Sequence, residues 1–138
     1  MSHPYFGQMV YWGDKDHTKA YWEAELIAPV SRVKIGVTMC GNEQGPEPAE
    51  EAFCRELLAD EGKLLQRCRA SFLPRIEQMK PSRLAGNGPP EFILDGFSIP
   101  RHGARDGEWE AYYFCTEAKH YFTAHFSGGH VRAVTVDG

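Results

Sequence analysis

Cys115 and His120 have the side chains of a nucleophile and a base, and a predicted hairpin places them opposite each other. If Glu117 and Ala118 form the tip of a two-residue loop, the flanking strands pair so that Cys115 faces His120. A thiolate beside an imidazolium could act in nucleophilic catalysis. The same register puts both residues on the apolar face, and no third residue is evident to orient the histidine. We therefore interpret the pair as buried and structural.

Glu110, His125 and Arg132 form a second group, which the predicted registers place in one row on the opposite face. A carboxylate, an imidazole and a guanidinium in a row could bind an anion, supply a general base or contact a partner protein. The alternative is a solvated charge ladder that fixes the strand register, and this is the interpretation we favour.

Histidines recur at positions 120, 125 and 130, a spacing that suggests a metal site. His120 and His125 have opposite parity on one strand, so their side chains point to opposite faces. We therefore expect no metal. The glycine-bearing segments match neither a dinucleotide fingerprint nor a phosphate-binding loop, and we expect no cofactor.

The most unusual charge pattern is an acidic block over residues 43–61, with seven acids against Arg55, followed by six bases against Glu77 over residues 62–83. Glu47, Glu50 and Glu51 fall in the predicted first turn of a helix, where carboxylates favour the positive end of its dipole. The block could be neutralised by the basic helix that follows, or it could be a docking face for a basic partner. Exposed aromatic residues could anchor such an interface. The candidates are Trp12, Trp109, Tyr112 and Tyr121.

The C-terminal elements that position these residues are two hairpins over residues 108–136. A two-residue loop at Gly128 and Gly129 predicts that Phe126 faces Val131, and that Ala124 and Phe122 face Ala133 and Thr135. With the hairpin at Glu117, this register gives one apolar face and one polar face, and a one-residue slip would mix the two.

The rest of the chain predicts three N-terminal strands, two helices and one more strand. The strands cover residues 6–12, 20–28, 32–40 and 92–99, and the last is expected to be distorted at Asp95 and Gly96. The first helix begins near Pro46 or Pro48, Asp60 caps the second, and Pro74 predicts a kink or restart within it. This order favours an α+β domain, with two consecutive helices on one face of an antiparallel sheet made from N- and C-terminal meanders.

Length and composition limit the classes of protein to which the chain could belong. The 138 residues are expected to form a single domain, 1–138, with an ordinary core. The chain contains no apolar run of membrane-spanning length, its beginning lacks signal-peptide features, and its four cysteines are far apart. We expect a reduced, cytoplasmic protein without a membrane partner. A net charge of −4 argues against nucleic acid as a partner.

The layout of residues 49–76 and 109–136 resembles that of a loose group of small bacterial domains. Their plan is a meander, a helix pair and a second meander with a Cys followed by an acid and a His, matched here by Cys115, Glu117 and His120. Some of these domains resemble immunity proteins, which neutralise toxins delivered between competing bacteria. The Trp-Asp expected beside the Cys is absent here, so the resemblance implies no particular binding residue.

We expect a non-enzymatic binding protein, specifically an immunity protein whose acidic surface blocks a basic site on a toxin. Glu47, Glu50, Glu51, Glu110, His125 and Arg132 are the candidate partner-binding residues. One alternative is a small-molecule-binding or hydrolytic domain with its site on the C-terminal sheet. Another is an accessory domain that oligomerises through a sheet edge.

Overall fold

The computed structural model of the protein describes residues 1–13, 20–41, 44–79 and 90–137. It contains two helices, α1 (Pro48–Ala59) and α2 (Glu61–Glu77). The strands are β1 (Ser2–His3), β2 (Gly7–Gln8), β3 (Val10–Trp12), β4 (Tyr21–Ile27), β5 (Lys34–Cys40), β6 (Phe92–Ile99), β7 (Glu108–Cys115), β8 (His120–Ser127) and β9 (His130–Asp137). The predicted first strand is therefore divided, and only its second part joins the main sheet.

Strands β3 to β9 form one seven-stranded sheet in chain order, and β1 pairs with β2 in a separate hairpin. Every neighbouring pair in the large sheet is antiparallel except β5 and β6, which are parallel. Helices α1 and α2 lie in the connection between these two strands, and parallel neighbours require a long crossover connection of this kind. The predicted α+β class is confirmed, with this one parallel pair in the sheet.

The register between β7 and β8 is the predicted one. Cys115 pairs with His120, Tyr113 with Phe122, and Trp109 with Phe126. The connection is a four-residue turn over residues 116–119, in which Lys119 adopts a positive φ of 55° and donates its N–H to the Cys115 carbonyl. The loop is thus longer than predicted, but the pairing is unchanged.

The register between β8 and β9 departs from the prediction after its first pairs. Phe126 faces Val131 as predicted, but a bulge follows at Arg132, so that Ala124 faces Val134 and Phe122 faces Val136. The predicted pairs of Ala124 with Ala133 and of Phe122 with Thr135 are wrong. The bulge lets Val131, Val134 and Val136 all pack against the core, whereas strict alternation would have pointed the last two to solvent.

Helix α1 begins with Pro48 in its first turn, as predicted, and a capping box joins Glu47 and Glu50. Asp60 precedes α2 in the capping position, but its side chain makes no capping hydrogen bond. Of the kink or restart predicted at Pro74, the restart is wrong, because α2 continues as one helix from Glu61 to Glu77. Phe72 and Ile76 on either side are buried, and their packing offsets the hydrogen bond that proline removes.

The helices cover one face of the sheet. Their buried residues join a single core with the inward residues of the strands, among them Phe72, Tyr113 and Phe122. A second bulge, between Leu94 and Gly96, confirms the predicted distortion of β6. In the part of the chain that the structure describes, no helix is long and apolar enough to cross a membrane.

The opposite face of the sheet, which we term the open face, carries the outward residues of the strands. Its ladder positions include Val10, Trp12, Tyr21, Glu23, Glu25, Ile27, Lys34, Thr38, Ile93, Ser98, Glu108, Glu110, Tyr112, Phe114, Tyr121, Thr123, His125, Thr135 and Asp137.

Candidate functional site on the open face

A chain of short polar contacts crosses the last three strands at the centre of the C-terminal sheet. Glu110 on β7 and His125 on β8 are directly paired, and Glu110 Oε1 lies 3.0 Å from His125 Nδ1. On the other side of the ring, His125 Nε2 lies 2.7 Å from Thr135 Oγ1. With the imidazole neutral, Nδ1–H donates to the carboxylate and Nε2 accepts from the threonine hydroxyl. The geometry is that of a hydroxyl, a base and an orienting acid.

Two further groups hold the Glu110 carboxylate and its strand in place. The Tyr112 hydroxyl donates to Glu110 Oε2 at 2.6 Å, and the Glu110 backbone N–H donates to Ser98 Oγ at 2.8 Å. Burial and the hydrogen bond to the carboxylate raise the pKa of Tyr112, so its hydroxyl stays protonated. Both Glu110 oxygens are therefore engaged, and the His125 ring is restrained from both sides.

Arg132 lies beside this group without joining it. As the residue at the β9 bulge, it reaches Glu108, with Nη1 and Oε1 separated by 3.2 Å. Glu108, Glu110, His125 and Arg132 surround a shallow depression of about 160 Å³. In the predicted row, Glu110 and His125 are therefore in direct contact, whereas Arg132 is only a neighbour. The second direct contact of the His125 ring is with Thr135.

The open face as a whole is acidic and bears exposed aromatic rings. Its ladder positions hold five carboxylates, whereas Lys34 and the bulge residue Arg132 are the bases along it. Trp12 is 53% exposed, and its indole N–H donates to Glu23 at 3.0 Å. Tyr21 and Tyr121 are also exposed. The five carboxylates are Glu23, Glu25, Glu108, Glu110 and Asp137.

The three candidate carboxylates on α1 have different surroundings. Glu47 is exposed, with Oε2 only 2.8 Å from His102 Nδ1. Glu50 is 2% exposed, and its Oε1 accepts the Glu47 backbone N–H in the capping box. Glu51 is half-buried and accepts from Arg55 at 2.8 Å. Because Glu50 is enclosed, this set does not form a continuous acidic surface on the helix.

The acids of α1 pair with groups from several elements. Glu47 contacts His102 in a 3₁₀ turn (Arg101–Gly103), Glu51 contacts His3 and Arg55, and Glu56 contacts Arg105. Among the described residues, no ion pair joins an acid of α1 to a base of α2. Glu43, Lys80 and Arg83 lie outside the described residues. Partial neutralisation of the acidic block therefore comes mainly from the N-terminal hairpin and the segment before β7.

Cys115 and His120 face each other as predicted, in surroundings that do not favour nucleophilic chemistry. Cys115 is buried, and burial raises the pKa of its thiol although backbone N–H groups of the turn oppose this effect. A thiol with a raised pKa carries little thiolate at neutral pH. Within the described residues, His120 Nδ1 is buried without a hydrogen-bond partner, so no group there orients the ring through that nitrogen.

No group of three or more His, Cys, Asp or Glu side chains within residues 1–13, 20–41, 44–79 and 90–137 is arranged to hold a metal ion. His120 and His125 point to opposite faces, as the strand parity predicts. No family model, curated protein or solved structure matches the chain. The site must therefore be interpreted from its geometry.

Thr135 is the member of the site that sequence reasoning missed. Strict alternation after the glycine turn assigned it to the core face, and the bulge at Arg132 moved it beside His125. One signal was present in the sequence. Val131, Val134 and Val136 are spaced by three and two residues, a pattern that fits one buried face only if an extra residue is inserted between the first two.

Proposed function

We propose that this protein is a non-enzymatic binding protein whose open face docks a basic partner protein. The proposal is supported by the side of the seven-stranded sheet that faces away from the helices, where carboxylates outnumber bases among the described residues and exposed aromatic rings are present. Aromatic side chains are frequent interface anchors, and complementary charge accelerates association and fixes orientation. The partner-binding residues would include Glu110, His125 and Arg132.

The carboxylates of α1 would contribute less to this interface. Glu50 is enclosed, Glu51 is half-buried, and Glu47 is held by His102. These groups lie on the helix layer, whereas the open face faces away from it. A partner that covers the sheet would leave α1 accessible to solvent.

We further propose that the partner is a toxin and that the protein acts as its immunity protein. This step is supported by the resemblance of residues 49–76 and 109–136 to immunity-protein-like domains, together with the acidic open face. A bound acidic protein would inhibit a toxin whose active site is basic, because it would cover the groups that bind an anionic substrate.

The test uses two charge-reversed variants with the same change in net charge. One carries Glu23→Lys and Glu25→Lys on the open face, and the control carries Glu56→Lys and Glu77→Lys on the helices. Proteins captured by tagged wild type from lysate of the source cells would be identified, purified and titrated directly. We expect a basic partner whose affinity falls about tenfold for the sheet variant, mainly through slower association, and little for the control.

Equal weakening by both variants, or an affinity that does not depend on salt, would contradict the open-face proposal. The toxin step has its own readout. The captured protein should stop growth when expressed alone, and co-expression of wild type should restore growth. A harmless partner that still binds the open face would remove the immunity role and leave the binding role standing.

The contact chain from Glu110 through His125 to Thr135 favours a second candidate function, a hydrolase with Thr135 as nucleophile. The hydroxyl and imidazole are 2.7 Å apart, and the carboxylate orients the ring. A fluorophosphonate probe should then label Thr135 in wild type and fail to label the His125→Gln variant. Absence of labelling in wild type would discard the hydrolase.

A further inference from the structure

A recess of about 290 Å³ lies where the start of α2 meets the turn before β5 and the strands β6 and β7. Val33, Leu65, Phe92 and Leu94 form its apolar walls. Its size is just under the usual range for small-molecule sites, roughly 300–1,000 Å³. Apolar walls with a few converging polar groups are typical of sites that bind small molecules.

Two polar residues, Glu61 and Tyr113, line this otherwise apolar recess. Tyr113 is 1% exposed, and its hydroxyl has no hydrogen-bond partner among the described residues. Glu61 is 7% exposed, and one carboxylate oxygen accepts the Ser31 backbone N–H at 3.3 Å. Within the described parts of the chain, no basic group lies within ion-pair distance of Glu61. A buried carboxylate without a cation and a buried hydroxyl without a partner are both costly, so each is notable in a folded protein.

The protonation state of Tyr113 determines which hydrogen bonds a ligand in the recess could make with it. Burial raises the pKa of Tyr113, and interactions with Cys68 and Glu61 act in the same direction, so its phenol keeps its proton at all physiological pH values. The hydroxyl can therefore donate one hydrogen bond and accept others. The Glu61 carboxylate, in its ionised form, can only accept.

We propose that this recess binds a small apolar molecule that carries one primary amine. The ammonium would donate to the Glu61 carboxylate and to the Tyr113 oxygen, while the apolar body of the ligand packs against Leu65 and Phe92. An ammonium supplies the positive charge that the buried carboxylate lacks, whereas a carboxylic acid would be repelled and an alcohol would leave the charge unpaired. This inference does not depend on the proposed partner protein.

The experiment compares three ligands of one shape and different charge: 2-phenylethylamine, 2-phenylethanol and phenylacetate. Binding to the full chain is measured by ligand-observed NMR titration, with circular dichroism as a check on folding. We expect saturable binding that is tightest for the amine and weakest for the acid. Glu61→Gln and Tyr113→Phe should each weaken amine binding about tenfold, the effect of roughly one lost hydrogen bond to a charged group.

Tyr113→Phe is a suitable variant because it removes only a hydroxyl that makes no hydrogen bond to any described residue, so the fold should be retained. The control is Glu77→Gln, an exposed acid at the end of α2, which should leave amine binding unchanged. The proposal is overturned if none of the three ligands saturates, if phenylacetate binds as tightly as the amine, or if both recess variants bind the amine like wild type.

Discussion

Glu50 holds a carboxylate in a place where the ionised form is disfavoured. Burial raises its pKa, while the Glu47 backbone N–H acts in the opposite direction, and Oε2 has no hydrogen-bond partner in the part of the chain that the structure describes. The folded state therefore binds a proton more readily than the unfolded chain. The stability of wild type should rise as pH falls through the window between the ordinary and the raised pKa.

The variant Glu50→Gln tests this expectation, since it keeps an oxygen for the capping box and removes the charge. At neutral pH it should be more stable than wild type by about 1 kcal/mol in urea unfolding, and the difference should shrink as the pH is lowered. Glu51→Gln, on a half-buried and paired neighbour, should show no comparable gain. A Glu50→Gln protein that is less stable than wild type at neutral pH would contradict this account.

The four cysteines differ in their access to solvent. Cys40 is exposed, whereas Cys54, Cys68 and Cys115 are buried. Burial raises the pKa of Cys54 to about 11 and that of Cys68 to about 12. Exposure therefore makes Cys40 the thiol expected to react first with an aromatic disulfide reagent.

Labelling with that reagent should give one fast thiol in the native protein, absent in Cys40→Ser, and three more only after denaturation. Fast labelling that persists in Cys40→Ser and maps to Cys115 would restore the catalytic interpretation of Cys115 and His120.

At the scale of elements, the parallel pairing of β5 and β6 brings the backbone of Gly96 close to that of Gly36. Gly36 and Gly96 are direct partners across this junction. A Cβ built on Gly96 would overlap the carbonyl oxygen of Gly36, whereas one built on Gly36 would have nothing within 4 Å. The two positions are therefore adjacent in space but differ in their tolerance of a side chain.

Gly96→Ala should lower the free energy of unfolding by about 2–3 kcal/mol, because backbone atoms must move to relieve the overlap. Gly36→Ala is the matched control and should change it by less than about 1 kcal/mol. Thermal or urea unfolding of both variants measures the difference. Equal destabilisation would mean that loss of flexibility at either strand, rather than the close approach, decides the effect.

At the scale of the whole molecule, the three tryptophans differ in their exposure to solvent. Trp22 and Trp109 are buried, at 5% and 6% exposure, and Trp12 is 53% exposed on the acidic open face. A Glu23 carboxylate oxygen lies 3.0 Å from the Trp12 indole nitrogen. A charged quencher in solution therefore meets chiefly one tryptophan, in a region of negative potential.

Caesium ion should quench this exposed fluorescence more strongly than iodide at equal concentration, and added salt should reduce the difference. Quenching by acrylamide, which is uncharged, measures the fraction of the tryptophan fluorescence that is accessible to solvent. Trp12→Phe should abolish most of this accessible fraction. Stronger quenching by iodide would contradict the negative open face on which the proposed partner recognition depends.

Much of the fold was determined by local patterns in the sequence. Alternation over residues 108–127 and a turn at Glu117 and Ala118 were sufficient to assign the partners of Trp109, Tyr113 and Cys115, because the turn sets the register and parity sets the faces. Helical periodicity and Pro48 similarly located α1. From these patterns the α+β class and the separation of an apolar and a polar sheet face could be predicted.

The tertiary structure alone decided which polar residues meet and which are buried. Glu50 was predicted on an exposed acidic helix. Instead it lies on the side of α1 that is near the 3₁₀ turn, and it is enclosed there. Thr135 reached His125 because burial of Val134 and Val136 favours a bulge over strict alternation. Glu61 and Tyr113, far apart in sequence, converge in one recess. These outcomes depend on the free energy of packing between segments that are distant in sequence. Local periodicity in the sequence gives no information about that packing.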